Sequence, residues 1–254
     1  MMTDPAHLPS PRAPKKEAGM ELTLYYAPDT CARVTMIALE EIGLPYEASL
    51  ISFVRGDHRS DWFGAYNPRG RVPTLIVDGA AVTENPATLL WLADQFPAAK
   101  LLPLTKDALA NARIHADLAW CASGLHPLVT RMRLPHFFCT GPDSGPNVRA
   151  LAEAGIAAEF ERIEAKLANG PWWYGDRWSI IDAYINWIWF RVVGCGFDAS
   201  PYPLLRDHDR RLAERPSVRR TLDIHANASR TLADQGLAVN FDTIEPQASP
   251  GKAA

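Results

Sequence analysis

Residues 67–78, NPRGRVPTLIVD, constrain the fold more than any other segment, because they join a turn to a strand through a proline. Pro73 has no N–H to donate to a sheet ladder, so we expect it to mark the start of a strand over 74–77. Bonds before proline are also the only common place for a cis peptide. A cis Val72–Pro73 bond would turn the Val72 backbone toward a groove, where a peptide-like ligand can pair with it as an added strand does.

The composition is that of a globular protein, and it predicts no nucleic-acid or membrane partner. The chain has 254 residues, enough for one large or two ordinary domains, and its 47% hydrophobic and 22% charged residues are typical of a globular protein. A net charge of −3 and a pI of about 6.2 predict neither a nucleic-acid partner nor attraction to a membrane surface. No apolar run approaches the roughly 18 residues of a membrane span.

The cysteines and the N-terminus bear on location and on metals. The four cysteines, Cys31, Cys121, Cys139 and Cys195, are widely spaced and form neither a CxxC pair nor a zinc-ligand set. We therefore expect reduced thiols, a cytoplasmic protein and no bound metal. Residues 1–20 contain prolines and scattered charges without an apolar stretch, which argues against a secretory leader and predicts a disordered tail.

Over residues 21–98, strand patterns alternate with helical ones. The predicted elements, in order, are a strand over 21–26, a helix capped by Asp29 or Thr30 and ending at Gly43, a strand over 46–53, a hairpin over 74–83 turning at Asp78-Gly79, and a helix over 85–95. This order predicts a small mixed sheet with helices packed on it.

The remainder of the chain shows helical patterns only. Residues 99–106 form a predicted linker, 107–237 a predicted helical bundle and 238–254 a predicted tail. The expected helices are 107–130, 148–167, 179–193, 204–214 and 217–235. Ser179 and Asp182 have the spacing of a capping box, which we interpret as structural. The predicted fold class is an α/β N-terminal domain followed by an all-α C-terminal domain.

Four segments together resemble the cytosolic glutathione transferase superfamily, in its order and roughly its spacing. They are YYAPDTCARVTMIALEEIGLPYE, GDHRSDWFGAYNPRGRVPTLIVDG, VTENPATLLWLADQFP and GDRWSIIDAY. The resemblance covers about residues 21–235. It implies a thioredoxin-like domain followed by a helical domain, a homodimer, glutathione as co-substrate, and a hydrophobic small molecule as second substrate.

The resemblance also implies residues that act on the glutathione sulfur. Cys31 resembles the cysteine of bacterial beta-like members, and Thr30 resembles the serine of zeta-like members. A helix N-terminus there would lower a thiol pKa toward neutrality. The alternatives are a buried apolar role for Cys31 and a plain helix cap for Thr30. His126 resembles a histidine near the sulfur in beta-like members, but Pro127 replaces their lysine, which predicts a kink and leaves a purely helix-terminal histidine as the alternative.

Glutathione-binding residues follow from the same resemblance. Val72 and Pro73 are implied to hold the cysteinyl backbone. Glu84 is implied to pair with the α-amino group, and Asn85, which replaces the usual serine, to hold the γ-glutamyl carboxylate at a helix N-terminus. His58 resembles a theta-like histidine that contacts the glycyl carboxylate. The alternatives are that Pro73 only starts a strand and that Glu84 is only a surface charge. Likewise, Asn85 would be a simple helix cap and His58 a solvated loop histidine.

Three functions remain open at this point. In the first, the protein activates the glutathione thiolate for attack on an apolar electrophile. In the second, Cys31 forms a mixed disulfide with glutathione and the protein is a thiol-disulfide oxidoreductase or reductive enzyme. In the third, the fold is a non-catalytic ligand-binding or interaction module.

Overall fold

The computed structural model describes residues 20–141 and 143–239. Almost all of the two predicted tails, 1–20 and 238–254, lies outside these residues. The N-terminal half contains four strands and three helices among the described residues: β1 Leu22–Tyr26, α1 Ala32–Ile42, β2 Glu47–Leu50, α2 Asp61–Gly64, β3 Thr74–Val77, β4 Ala80–Thr83 and α3 Asn85–Gln95.

The strands form one mixed sheet in the order β2-β1-β3-β4. β1 runs parallel to β2 and antiparallel to β3, and β3 pairs antiparallel with β4. The predicted hairpin is confirmed, since Asp78 and Gly79 both have positive φ, 48° and 86°, as a tight turn of this kind requires. β2 is shorter than predicted because the Ser52 N–H leaves the ladder and donates to the Asp57 carboxylate at 2.8 Å.

The C-terminal half is helical, as predicted. Its helices are α4 Ala108–Trp120, α5 His126–Arg133, α6 Gly145–Leu167, α7 Ile180–Val193, α8 Pro203–Ala213 and α9 Pro216–Asp234. The predicted helix over 107–130 is present, and it is irregular near Pro127, because a π-helical stretch, Cys121–Leu125, separates α4 from α5. Pro127 removes an N–H from the helical ladder directly after this stretch, so the pairing shifts there. No helix among the described residues is long and apolar enough to cross a membrane.

The predicted capping box opens α7 and is part of a larger buried network. The Asp182 carboxylate is fully buried and accepts from the Ser179 N–H at 2.8 Å. It also lies 3.1 Å from Nε2 of His208 on α8 and accepts from the Trp173 N–H at 2.7 Å. One carboxylate thus joins the start of α7 to α8 and to the preceding loop.

Helix α1 contacts helices of both halves of the protein. It packs against α3 on one side and against α7 and α9 on the other, and its residues 32–39 are all buried. Near its C-terminal end, the Arg215 guanidinium donates to both oxygens of Glu41 at 2.9 Å and lies over the Trp178 ring. Whatever lies at the N-terminus of α1 is therefore positioned by both halves of the protein.

Candidate functional site

The turn between β1 and α1 carries Thr30 and Cys31. Helix α1 begins at Ala32, with Cys31 at the N-cap position and no side-chain cap from it. The Thr30 hydroxyl donates to the Ala27 carbonyl at 2.7 Å and accepts weakly from the Ala32 N–H at 3.4 Å. Asp29 does not cap the helix, because its φ of 60° places it in a left-handed turn. Of the two residues expected to cap α1, Asp29 and Thr30, it is thus Thr30 whose side chain accepts from the first turn of the helix.

Cys31 lies against residues 67–73, the loop before β3 that contains Pro73 and is called the proline loop below. Its sulfur is 3.6 Å from the Val72 carbonyl oxygen, to which the thiol donates a long hydrogen bond. Burial raises the pKa of the thiol from 9.0 to about 12, and the nearby Glu84 carboxylate adds to this, against an opposing backbone hydrogen bond and the charges of Arg191 and Arg71. The expectation that the helix N-terminus lowers the pKa of this thiol is therefore wrong, since desolvation outweighs the favourable charges.

The Val72–Pro73 bond is cis, and Val72 itself is buried. Val72 precedes the β3 ladder, so its backbone groups are not used in pairing with β1 or β4. Asn67 holds this loop in place, since its amide Nδ2 donates to the Arg71 carbonyl at 2.8 Å and to the Thr74 hydroxyl at 2.9 Å. The proline loop is therefore a fixed platform that presents the Val72 carbonyl to Cys31.

Glu84 and Asn85 differ sharply in surroundings although they are neighbours. Glu84 has a φ of 70° and an exposed carboxylate that pairs with Arg69 at 3.5 Å. A left-handed conformation at a residue with a long side chain costs about 1–3 kcal/mol and is found mostly at functional sites. Asn85 is buried, and its Nδ2 donates to the Cys31 carbonyl at 3.0 Å while its Oδ1 accepts from Thr35 at 2.6 Å. Asn85 thus ties the start of α3 to the start of α1.

His58 is buried on a short 3₁₀ turn, Asp57–Arg59. Its ring meets the Phe53 ring edge-on at 4.9 Å, and burial, with the charge of Arg59, lowers its pKa. The His58 carbonyl is packed so closely on Gly70 that an added Cβ would lie 2.6 Å from the oxygen. His58 therefore borders the proline loop through its backbone.

His126 begins α5 directly after the π-helical stretch. Its Nδ1 is 3.3 Å from the Tyr184 hydroxyl, and its ring packs edge-on against Trp187 with centroids 4.5 Å apart. Burial, helped by the charges of Arg71 and Arg191, lowers the pKa of His126 to about 4. The imidazole is therefore neutral at physiological pH, and the irregular helix that Pro127 predicted is present at this point.

Three residues around Cys31 were not among the sequence-derived candidates. Tyr184 is fully buried, and burial together with the nearby Cys31 raises its pKa well above the usual value. Arg71 and Arg191 influence the pKa of both Cys31 and His126. Tyr184 ends the GDRWSIIDAY segment, two residues after the capping-box Asp182, and Arg71 is an exposed residue. Only the tertiary arrangement shows that these groups converge.

The arrangement as a whole brings a thiol, a hydroxyl and a neutral imidazole together near two cations. Among residues 20–141 and 143–239, no cluster of histidine, cysteine and carboxylate side chains could hold a metal ion. The start of α1, the start of α3 and the proline loop meet at Cys31, and each presents backbone or side-chain hydrogen-bonding groups there. Such an arrangement can bind an anionic or peptide-like molecule and stabilise negative charge.

Comparison with known proteins agrees with this geometry. The family described as Glutathione S-transferase, N-terminal domain, matches residues 30–95. A maleylpyruvate isomerase from Ralstonia is 30% identical over 79% of this chain and 95% of its own, and a maleylacetoacetate isomerase from Pseudomonas aeruginosa is 30% identical over 74% and 88%. A sphingomonad glutathione S-transferase complexed with glutathione superposes with a TM-score of 0.70 at 29% identity, over 80% of this chain and 98% of that one. The chain belongs to the glutathione transferase superfamily, whose fold is a thioredoxin-like domain followed by a helical one.

Proposed function

We propose that the protein binds reduced glutathione at the junction of α1, α3 and the proline loop, and activates its thiolate for attack on an electrophile. The observation that carries the proposal is the contact of the Cys31 thiol with the Val72 carbonyl, beside the cis Val72–Pro73 bond. This contact places a hydrogen-bond donor for sulfur next to a backbone edge that suits the cysteinyl part of a peptide.

Each end of glutathione has a matching group around this point. The Glu84 carboxylate, exposed and paired only at long range with Arg69, suits the α-amino group. The N-terminus of α3 and Asn85 suit the γ-glutamyl carboxylate, because helix N-termini favour anions. His58 borders the other side of the proline loop and suits the glycyl carboxylate. The structure of the sphingomonad relative, which is complexed with glutathione, supports the ligand.

Cys31 is the better candidate than Thr30 for donating to the glutathione sulfur. The Thr30 hydroxyl would have to leave a short bond of 2.7 Å to the Ala27 carbonyl, whereas the Cys31 thiol would leave a long one of 3.6 Å to Val72. A cysteinyl N–H of glutathione that pairs with the Val72 carbonyl would also displace the Cys31 thiol from it. Ligand binding itself would then redirect the donor toward the ligand sulfur.

The same geometry argues against Cys31 as a nucleophile. A thiol nucleophile reacts as the thiolate, and burial holds the pKa of Cys31 at about 12. A mixed disulfide between Cys31 and glutathione is therefore disfavoured in the free protein. The thiol serves better as a neutral donor to a thiolate on the ligand.

The second substrate lies, in this proposal, on the His126 side of the sulfur, between the two halves of the protein. The neutral His126 supplies a hydrogen-bonding group there, and the buried rings of Trp187 and Tyr184 pack behind it. Cytoplasmic location and a homodimer remain predictions from the sequence, and the dimer is open to test by light scattering of the purified protein.

A second candidate reaction is cis-trans isomerisation of a carboxylate-bearing alkene. The specific observation in its favour is the pair of cations, Arg71 and Arg191, whose charges reach both Cys31 and His126. In this reaction the glutathione thiolate adds to a carbon of the cis double bond and the electron pair moves onto the conjugated carbonyl oxygen. The single bond then rotates, and expulsion of the thiolate re-forms the alkene as the trans isomer. The Ralstonia and Pseudomonas relatives are named as isomerases of maleyl compounds.

One set of assays separates these functions. The purified protein is tested for retention on immobilised glutathione, for conjugation of an aryl halide, for isomerisation of a maleyl-type acid followed by NMR, and for reduction of a mixed disulfide. Conjugation or isomerisation that survives Cys31→Ser supports the proposal. Disulfide reduction that Cys31→Ser abolishes, with no reaction of the other two kinds, overturns it in favour of redox chemistry. No retention and no activity would favour a non-catalytic module.

The two candidate reactions are separated by Arg71. If the second substrate carries a carboxylate, Arg71→Gln raises KM for it and leaves KM for glutathione little changed. Arg69→Gln is the matched control, since Arg69 is also an exposed arginine of the same loop but pairs with Glu84. Equal effects of both changes on KM for the maleyl-type acid would count against a role for Arg71 in holding a substrate carboxylate.

A further inference from the structure

The backbone of Asp29, two residues before Cys31, is held on both sides by the helical half. Its N–H donates to Nδ1 of His225 on α9 at 3.2 Å, and its C=O accepts from Nε1 of Trp187 on α7 at 3.1 Å. Asp29 has a φ of 60°, a left-handed conformation that residues other than glycine, asparagine and aspartate rarely adopt. Contacts from distant helices therefore hold a turn that local backbone preference alone does not fix.

Both side chains that hold Asp29 are rigidly packed. Trp187 and His225 have only 3% and 2% of their surface exposed. The His225 ring lies 5.4 Å from the Tyr26 ring at the end of β1, so it touches the strand before the turn as well as the turn itself. Burial and the charge of Arg33 hold the pKa of His225 at about 3, which keeps Nδ1 available as an acceptor.

Trp187 connects the same turn to the other side of the cleft. Its indole N–H reaches Asp29, and its ring packs against His126 with centroids 4.5 Å apart. Within the turn itself the backbone bond from Thr30 N–H to the Ala27 carbonyl is long, 3.4 Å. The two hydrogen bonds to Asp29 therefore add to those of the Thr30 hydroxyl and the Asn85 amide in fixing Thr30 and Cys31 relative to His126.

We propose that Trp187 and His225 are positioning residues, through which the helical half fixes the groups that serve the glutathione sulfur. This rests on the proposed function for its effect on activity, but its structural part does not. Removing either bond frees residues 27–31 to leave the observed turn, so that Cys31 spends more time away from Val72. The helical half would then influence the ionisation of bound glutathione as well as the choice of second substrate.

The variants that test this remove one hydrogen-bonding group and keep a ring. Trp187→Phe removes the indole donor, and His225→Phe removes the imidazole acceptor. His225→Asn is the rescue variant, because its amide oxygen can replace Nδ1 as acceptor. Trp189→Phe is the matched control, since Trp189 is a similarly buried tryptophan of α7 that packs on Phe160, away from the cleft. If one variant does not fold, the other suffices.

The first measurement needs no glutathione. Cys31 is partly buried, so the rate at which iodoacetamide labels it, followed peptide by peptide by mass spectrometry, rises when the thiol leaves its contact with Val72 more often. Trp187→Phe and His225→Phe should each raise this rate about fivefold, the effect of losing one neutral hydrogen bond. His225→Asn and Trp189→Phe should leave it within about twofold of the wild type.

The second measurement is the pH dependence of the thiolate absorbance of bound glutathione. The midpoint of this titration should move to higher pH in Trp187→Phe and His225→Phe. It should stay unchanged in Trp189→Phe, even if that variant melts at a lower temperature. Unchanged labelling and an unchanged pH profile in both ring variants would overturn the inference. If the wild type binds no glutathione, the proposed function fails, while the labelling experiment still decides whether the Asp29 contacts fix Cys31.

Discussion

Replacing Cys31 with alanine and with serine separates a hydrogen-bond donor from a nucleophile. In the structure the thiol donates to the Val72 carbonyl over 3.6 Å and has its pKa raised to about 12 by burial. A group with that pKa keeps its proton at neutral pH, so we expect it to serve bound glutathione through the S–H. Alanine removes the donor, serine keeps one, and a nucleophilic role would make both substitutions equally damaging.

The magnitude follows from the charge on the acceptor. A hydrogen bond to a charged group contributes about 1.5–3 kcal/mol, which corresponds to about a 10- to 150-fold change. Cys31→Ala should therefore lower kcat/KM by about that factor, and raise the pKa of the bound glutathione thiol by roughly one to two units, since each unit corresponds to about 1.4 kcal/mol. Cys31→Ser should stay within several-fold of the wild type.

The assay combines two readouts on the same proteins. Ultraviolet difference absorbance of the thiolate, titrated with pH, gives the pKa of bound glutathione, and steady-state conjugation gives kcat and KM separately. Thr30→Val serves as the matched control, because it removes the neighbouring hydroxyl and its 2.7 Å bond to Ala27. We expect it to loosen the turn and to change the thiol pKa less than Cys31→Ala does.

Two results would refute the reasoning. If Cys31→Ala leaves the pKa of bound glutathione unchanged while Thr30→Val raises it, the Thr30 hydroxyl and not the Cys31 thiol is the donor to the glutathione sulfur. If Cys31→Ser abolishes turnover as fully as alanine does, the sulfur of Cys31 takes part in covalent chemistry despite its raised pKa.

The remaining predictions concern protonation and stability. Iodoacetamide labelling of Cys31 should still accelerate with pH at about pH 10, because thiolate formation is shifted toward pH 12; a plateau near pH 9 would contradict this. Asp182→Ala should lower the free energy of unfolding in urea by about 3–5 kcal/mol, since it leaves buried donors and His208 without their carboxylate, whereas Ser179→Ala should cost about 1 kcal/mol. Because the pKa of His225 falls from 6.5 to about 3 on folding, its contribution to stability is complete above pH 6.5 and is lost as the pH falls toward 3. His225→Asn should reduce the slope of stability against pH in that window by about 1.4 kcal/mol per pH unit, and an unchanged slope would count against a neutral buried histidine.

Local signals predicted the parts of the fold that depend on a few neighbouring residues. The Asp78-Gly79 turn requires two left-handed residues, and that dipeptide favours them. Gly43 ends α1 with a φ of 76°, as glycine does after a helix. Ser179 and Asp182 start α7 because both partners of the capping box lie within one turn. In each case the sequence window that determines the structure is shorter than five residues.

The features that escaped prediction depend on residues far apart in the chain. The bond between Trp187 and Asp29 spans 158 residues and that between His225 and Asp29 spans 196, so no local pattern could reveal them. The raised pKa of Cys31 is of the same kind. The position at a helix N-terminus was evident from the sequence, but the desolvation that outweighs it depends on tertiary neighbours such as Val72, 41 residues further along the chain.

A protonated Cys31 also changes where the negative charge of the reaction belongs. Burial keeps the protein thiol neutral, while Arg71 and Arg191 supply positive charge around the same point. The thiolate then has its lowest free energy on a ligand sulfur that accepts the S–H of Cys31 and lies in the field of both cations. Such a ligand also brings its own charged groups to hydrogen-bonding partners around Cys31. Conjugation and thiol-catalysed isomerisation both begin from such a ligand thiolate, whereas a mixed disulfide at Cys31 begins by ionising the group that the fold keeps neutral. Under the proposed function the two reactions share the activation of the sulfur, so they differ in how the second substrate is held near His126.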